Sequence, residues 1–432
     1  YLFAHNNGDG TFGPDQDQDI ISCGSFTGTS GGTALINLGW EPELVMYKRY
    51  DGTGDWFVVD QRRGFTSKPP NNGQSAHLFW NKTNTQASLQ YQIGLDSEGF
   101  REDGLGAGVD FIYMAIRRGP LNQPEAGTEV FNASKFYGDG TTDNVINLGF
   151  PTDMIWGSRL VGDPIAWCDR VRGEDKQLYS YGRDAEGTGT DYCQFDSNIG
   201  PRIGYNGSGI NINSSAYQYM LYGFKRQAGF FDTLCYRGNG SNRTITHNLN
   251  AVPEMMIVKC RSSASSIRDW AVYHKGINNG TNPEQHFIYL NASSSYSSTS
   301  EFWNNTAPTS SVFSVGVNGR VNSSAQDYTA WLFGSVPGVC KIGHYAGTGS
   351  QQTIDCGFSS SARFVLIKRW DGADDWYLYS TAHGLVSGNE SWLLLNSTGG
   401  EGTGQDHVDP NSSGFAVTSR VETNESGSNY IF

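Results

Sequence analysis

Charge is scarce in this chain. Charged residues make up 17% of its 432 positions, and 30 Lys plus Arg face 43 Asp plus Glu, a net charge of -13. Binding nucleic acid needs clustered cations that displace counterions, so this balance excludes a nucleic-acid partner. The basic pairs Arg62-Arg63 and Arg117-Arg118 are expected at solvated strand or loop ends. No stretch approaches the roughly 18 consecutive apolar residues of a membrane span, so no membrane contact is expected either. Nothing near Tyr1 reads as a basic segment followed by an apolar run, and no signal peptide is visible. Cysteine is sparse and odd in number: seven residues without a CxxC or CxxH spacing argue for buried free thiols over a disulfide framework or a zinc knuckle.

Catalytic signatures are lacking too. The eight His form no HxH or HExxH, and no GxSxG elbow occurs. No Glu pair lies on a strand as a glycosidase would need, because Glu41 and Glu43 flank Pro42 in a loop context. The glycine-rich stretches "GDGTFG", "GDGTT" and "GNGSNR" lie between strands and not ahead of a helix, which is the wrong setting for a phosphate loop. The chain is not expected to be an enzyme.

Turn formers and rings are what is present. There are 55 Gly, and aromatics reach 13%, the balance of many-stranded sheets. A self-comparison reveals a repeat. "YKRYDGTGDWFVVD" (47–60) matches "IKRWDGADDWYLYS" (367–380), with degenerate copies "SRLVGDPIAWCDR" (158–170) and "KCRSSASSIRDWAVY" (259–273) between them. The anchors Trp56, Trp167, Trp270 and Trp376 are spaced by 111, 103 and 106 residues. An aromatic-glycine hairpin opens each copy, as in "SFTGTSGGTALINLGW" (25–40) and "HYAGTGSQQTIDCGF" (344–358). An apolar strand follows ("PELVMYKR", "TDMIWGSR", "PEMMIVKC", "ARFVLIKR"), then the Trp turn, then runs such as "HLFWNKT" and "WLLLNST". "SEGF" (97–100) and "SSGFAVT" (412–418) mark a late turn, with "SSVFSVG" (310–316) a weaker copy.

Six to eight short strands in about 107 residues predict an all-β fold, a tandem array of about four jelly-roll-like, lectin-like β-sandwich modules. The expected boundaries are 20–120, 129–229, 230–338 and 339–432. Residues 1–19 read as the closing strand of a preceding repeat ("YLF", like the final "YIF") plus an acidic linker, which makes the chain a window on a longer array. The junctions "KRQAG" and "GSVPG" are too short for free swinging, so a semi-rigid string is expected.

Trp56, Trp167, Trp270 and Trp376 are expected to fill the equivalent place in the core of each module. Asp51, Asp55, Asp371 and Asp375, in "DGTGDW" and "DGADDW", invite a calcium or ligand-facing reading. A tight polar turn that presents Trp to the sheet is the weightier one, since the middle copies lose carboxylates and keep Trp. No cofactor is required. Trp and Tyr beside Asn, Asp and Gly also suit sugar faces, although most rings are expected inside the sandwiches.

The block order Y-x-G-x-G-S/T, I-x-L-G-F, P-E/D-x-V/M-x-x-K-R, D-G-x-x-D-W, L-x-L-N, G-F, Y-x-A-W resembles the tandem repeats of large virion proteins of marine tailed phages, over essentially all of 20–432. That resemblance implies a concanavalin-like jelly roll per repeat and a tail fibre, appendage or capsid-surface element on the virion surface. It implies a spacer and host-surface glycan adhesin, with other virion proteins as partners and a homotrimer as the oligomer. The competing expectation is a cellular secreted adhesin, or a carbohydrate-binding appendage of a larger polysaccharide-active protein.

Overall fold

The computed structural model describes residues 19–30, 33–67, 74–90, 93–119, 122–189, 192–205, 212–262 and 268–432, together with Phe3 and His5. The expected closing strand and acidic linker at 1–19 fall almost entirely outside the described residues.

The chain is all-β, and its described residues form four antiparallel six-stranded sheets, each backed by a smaller sheet. In the first, the order across the large sheet is Ile21–Thr27, Asp110–Arg117, Pro42–Arg49, Trp56–Asp60, Gln74–Phe79, Ala87–Gln90. Thr33–Asn37, Gly99–Asp103 and Ile93–Asp96 form the small sheet. The same order recurs in the sheets around Met154–Arg159, Met255–Cys260 and Phe364–Arg369. The third small sheet keeps two strands, Arg243–Thr246 and Val312–Val315, and a helical turn at Ser300–Trp303 stands nearby. The weak "SSVFSVG" copy belongs to this altered edge. Among the described residues, no helix is long and apolar enough to cross a membrane.

Alternation explains the sandwiches. In Pro42–Arg49, Val45 and Tyr47 point into the core with Phe100 and Ile93 of the small sheet, while Leu44, Met46 and Lys48 fall on the other face. In the third module Met256, Val258 and Cys260 enter the equivalent core, yet Met255, Ile257 and Lys259 are buried as well. A strand covered on both faces reads as a continuous apolar run, which accounts for "MMIV" and "FVLI". What covers the second face is the other modules. One apolar cluster joins Trp156, Trp167, Trp270, Trp331, Trp376 and Leu395 from three modules, separate from the sandwich cores. Modules two to four are therefore packed around a common core. The semi-rigid string expected from the short junctions is corrected here: outward apolar faces pull those modules together.

The late glycine turns are set by backbone contact. A Cβ on Gly99, Gly200 or Gly414 would lie 2.0, 1.9 or 2.3 Å from the carbonyl oxygen of Ile36, Ile146 or Ile354. Gly200→Ala should therefore lower stability by about 1–3 kcal/mol in urea denaturation, whereas Gly149→Ala, with open space around it but a φ of +90°, tests backbone strain alone.

Candidate functional site

The junctions among modules two, three and four repeat one arrangement. Each large sheet has a central strand that ends next to a loop from the neighbouring module. There the backbone N–H of Glu186 donates to Arg261 C=O (2.8 Å), that of Tyr296 to Trp370 C=O (2.9 Å), and that of Glu401 to Leu160 C=O (2.8 Å). Module two thus feeds three, three feeds four, and four returns to two. The donors each stand six residues past a residue that bonds back to the fourth strand: Ser180 to Ile165, Leu290 to Trp270, Leu395 to Trp376. The three contacts close a ring with approximate threefold symmetry.

Side chains reinforce two of the junctions in the same way. Trp270 Nε1 donates to Gly182 C=O and Trp376 Nε1 to Tyr289 C=O, each at 3.0 Å. Lys259 Nζ donates to Asp184 C=O (2.9 Å) and Lys368 Nζ to Ser293 C=O (3.1 Å), both carbonyls on the preceding module. Burial pushes both ammonium groups down to about 8. At the first of these junctions Arg261 also clamps Glu186 with two 2.8 Å bonds, and Arg172 binds Asp169 at 2.6 Å and Glu186 at 3.3 Å. The carboxyl of Glu186 would be raised by burial, but the two guanidiniums hold it below its usual range.

On the axis the rings are in contact. Trp156 stacks on Trp167 with centroids 4.2 Å apart, and Trp167 meets Trp270 and Trp331 edge-on at 5.1 and 5.0 Å. At one mouth an apolar cavity of about 430 Å³ is lined by Phe131, Phe224, Met255, Phe333, Phe364 and Leu366.

The predicted residues can now be placed. Trp270 and Trp376 are buried, but on the outer face of the large sheet, in the core shared between modules and not in the sandwich. Both head the fourth strand, where the following Asn fixes them. Asn291 and Asn396 accept from the Trp backbone N–H at 3.0 Å and donate to Asp269 and Asp375. Trp56 makes the same bracket with Asn81 and Asp55, yet its side chain is only half-buried. Trp167 is not equivalent to these three. Ile165 carries the carbonyl that matches Trp270 and Trp376, so Trp167 stands two residues further along the strand, opposite Trp156. Pro164 replaces the Asp of the bracket, which removed the local cue that would have corrected the alignment.

The Asp turns are spoken for. Asp51 is bonded to Arg49 (2.6 Å), Asp55 to Lys82 (2.6 Å) and Asn81, Asp371 to Arg369 (3.1 Å) and Asn429, and Asp375 to Asn396. These carboxylates face cations and amides of the chain itself, and no group of three His, Cys, Asp or Glu among the described residues converges on a point that could hold a metal. The Asp371 to Asp375 turn also abuts module three through Asp374 N–H to Ser293 C=O at 2.8 Å. All seven cysteines are free, five of them buried. Sequence reasoning missed Lys259, Lys368 and the receiving loops; the Lys that recurs at three of the four strand ends was the available signal.

Module one seats on the ring through buried charge. Arg226 binds Glu41 with 2.7 and 2.9 Å bonds and Asp232 at 2.7 Å, and its backbone N–H donates to Asp153. Burial alone would raise the Asp153 carboxyl, but Arg170, Arg118 and Arg226 bring it down to about 2. Arg118, expected at a solvated end, is buried here against Asp153.

Fold and junctions define a class: a tandem β-sandwich repeat protein in which three modules are sealed around one core. The family described as "Domain of unknown function (DUF7483)" matches residues 126–432, and the chain belongs to that family. The match coincides with the three-module ring. A comparison with curated proteins returned no match.

Two outcomes follow for the ring. Trp376→Ala should cost about 3–5 kcal/mol in chemical denaturation, since it removes a fully buried ring and orphans Tyr289 C=O. The imidazole of His274 takes the Gly276 N–H on Nδ1 and donates from Nε2 to Phe432 C=O, and burial pushes it from an ordinary 6.5 down to about 3. The unfolded chain then binds a proton near pH 6.5 that the folded chain refuses, so stability is lost as pH falls below about 6.5, by up to about 1.4 kcal/mol per pH unit. His274→Gln, which keeps a donor and cannot titrate, should shrink the drop in Tm between pH 7 and pH 4.5; equal drops in both proteins would refute this role.

Proposed function

We propose that the chain is a non-enzymatic structural element of a virion surface, a tail fibre, appendage or capsid-surface component that acts as spacer and host-surface glycan adhesin. The single observation that carries the structural half is the closed ring: the recurring Trp, Lys and loop residues are consumed in module-to-module contact. The virion setting rests on the resemblance of the repeat blocks. Strongly shifted groups such as Asp153, His274 and Lys259 lie in packed junctions, which is a setting for assembly more than for turnover.

For the adhesin half, the described surface offers a shallow polar depression on the small sheet of module four, lined by Gln351, Thr353, Asp409 and Asn411. Gln351 Nε2 donates to Asp409 Oδ2 and Asn411 Nδ2 to Thr353 Oγ1, an array of short amides and hydroxyls that suits sugar hydroxyls. The full chain should bind polysaccharide on a glycan array or isolated host envelopes, and Gln351→Ala with Asn411→Ala should weaken that binding about tenfold, some 1.4 kcal/mol. Absence of binding to any glycan would withdraw the adhesin half and leave the spacer.

A further inference from the structure

Two of the seven cysteines stand where the two sheets of module two meet. Cys168 lies on the fourth strand of the large sheet, opposite Ile155, and Cys193 on the small sheet, opposite Ile203. All four side chains are 0% exposed and belong to one sandwich core. The thiol of Cys193 is hydrogen-bonded to that of Cys168. Other thiols are engaged differently: Cys235 Sγ accepts from the Arg261 guanidinium at 3.2 Å, and Cys340 Sγ donates to Gly334 C=O at 3.0 Å.

The repeat identifies the place that this pair occupies. Cys168 is the third residue past Ile165, and it matches Val59 and Tyr379, the third residues past Trp56 and Trp376. Cys193 matches Ile93 and Val408, since each of them pairs with the residue three past the late glycine: Ile203, Glu102 or Val417. Val59 and Ile93 share the core of module one, and Tyr379 and Val408 share that of module four. These are facing positions across the sandwich, and module two alone fills both with sulfur.

Module two also has the thinnest small sheet. Among the described residues its strands Asn144–Val145, Cys193–Gln194 and Arg202–Ile203 have two residues each, against five, four and five in module one and four each in module four. Few ladder hydrogen bonds hold that sheet together, so a covalent tie to the large sheet has most to contribute there.

We propose that Cys168 and Cys193 become joined by a disulfide when the chain folds in an oxidising medium, as a staple between the two sheets of module two. The oxidant is a small disulfide of the oxidised-glutathione class. One cysteine thiolate attacks it and expels a first glutathione thiolate; the second cysteine thiolate attacks the mixed disulfide and expels the other. The two electrons and the two protons lost by the cysteines end on two glutathione thiols. Exchange of this kind needs a thiolate. Burial pushes the Cys193 thiol well up in the folded chain, so the exchange belongs to folding, before the sheets close, and the finished bond is shielded from reductant. This inference goes beyond the virion and glycan readings and depends on neither.

The full chain, unfolded and then refolded with oxidised glutathione, should show five titratable thiols in denaturant, against all seven after refolding with a reductant. Tryptic digestion without reductant should yield peptide Leu160–Arg170 linked to Asp184–Arg202. The oxidised chain should melt about 5 °C above the reduced one, because the bond closes the loop from Cys168 to Cys193 in the unfolded state. Cys168→Val with Cys193→Val, an apolar pair of the kind module one carries, should melt at one temperature in both buffers. Seven free thiols after oxidative refolding, or a link from either residue to a different cysteine, overturns the proposal. Equal melting temperatures for the oxidised and reduced chains, or a shift that survives in the double-valine variant, overturn it equally.

Discussion

The structure turns on one backbone hydrogen bond made three times, between a loop N–H of one module and the carbonyl at the end of a central strand in the next. That carbonyl lies at the rim of a buried, aromatic interface, where an unpaired peptide group costs a sizeable part of a hydrogen bond's full strength. Satisfying it from the neighbour, and not from water, ties local sheet termination to assembly. The Trp indoles and Lys ammonium groups do likewise: Trp270, Trp376, Lys259 and Lys368 all spend their donors across a junction. The two indole N–H groups would be orphaned if the modules separated only far enough to exclude water, while each ammonium would keep only a carbonyl of its own module, that of Cys260 or Asp374. Small displacements are therefore penalised more than burial of apolar area alone would suggest, and the ring is expected to hold or open as a unit.

Much of the module was legible in the sequence because its signals are local. Hairpin glycines, the alternation of Val45 and Tyr47, and the Asp-Trp turn with its downstream Asn are all properties of a few neighbouring residues. Ring closure was not legible. Whether repeats line up as a string or fold back depends on a small rotation per module, and no short pattern encodes it. The continuous apolar runs "MMIV" and "FVLI" did hold a clue, since a strand with only one covered face would alternate. The Trp167 alignment failed for a related reason: in module two the Asp–Trp–Asn bracket is gone, and a tryptophan two residues on fills the axis from the same face.

Attachment of module one follows a different chemistry. Its seat on the ring is a buried network of Glu41, Gln61, Arg226, Asp232, Asp153, Arg170 and Arg118. Desolvating so many charges returns little net stability, but each partner demands its counterpart in a defined direction, so a shifted seating would strand a charge. The ring is held by area and shape, and module one is oriented on it by charge. The first device tolerates substitution of one large apolar residue by another; the second does not.

The axis also shows why the modules of one chain have diverged. Three copies within one polypeptide need not contribute equally: modules two and three supply two Trp each, Trp156 and Trp167, and Trp270 and Trp331, while module four sets Phe364, Leu366 and Leu378 beside Trp376. A ring of identical modules has no such freedom, since whatever occupies the axis appears three times at one level. A Trp at each of those positions would overfill the space. The faces of modules two to four have the composition that only a covalently linked, unequal trio can pack.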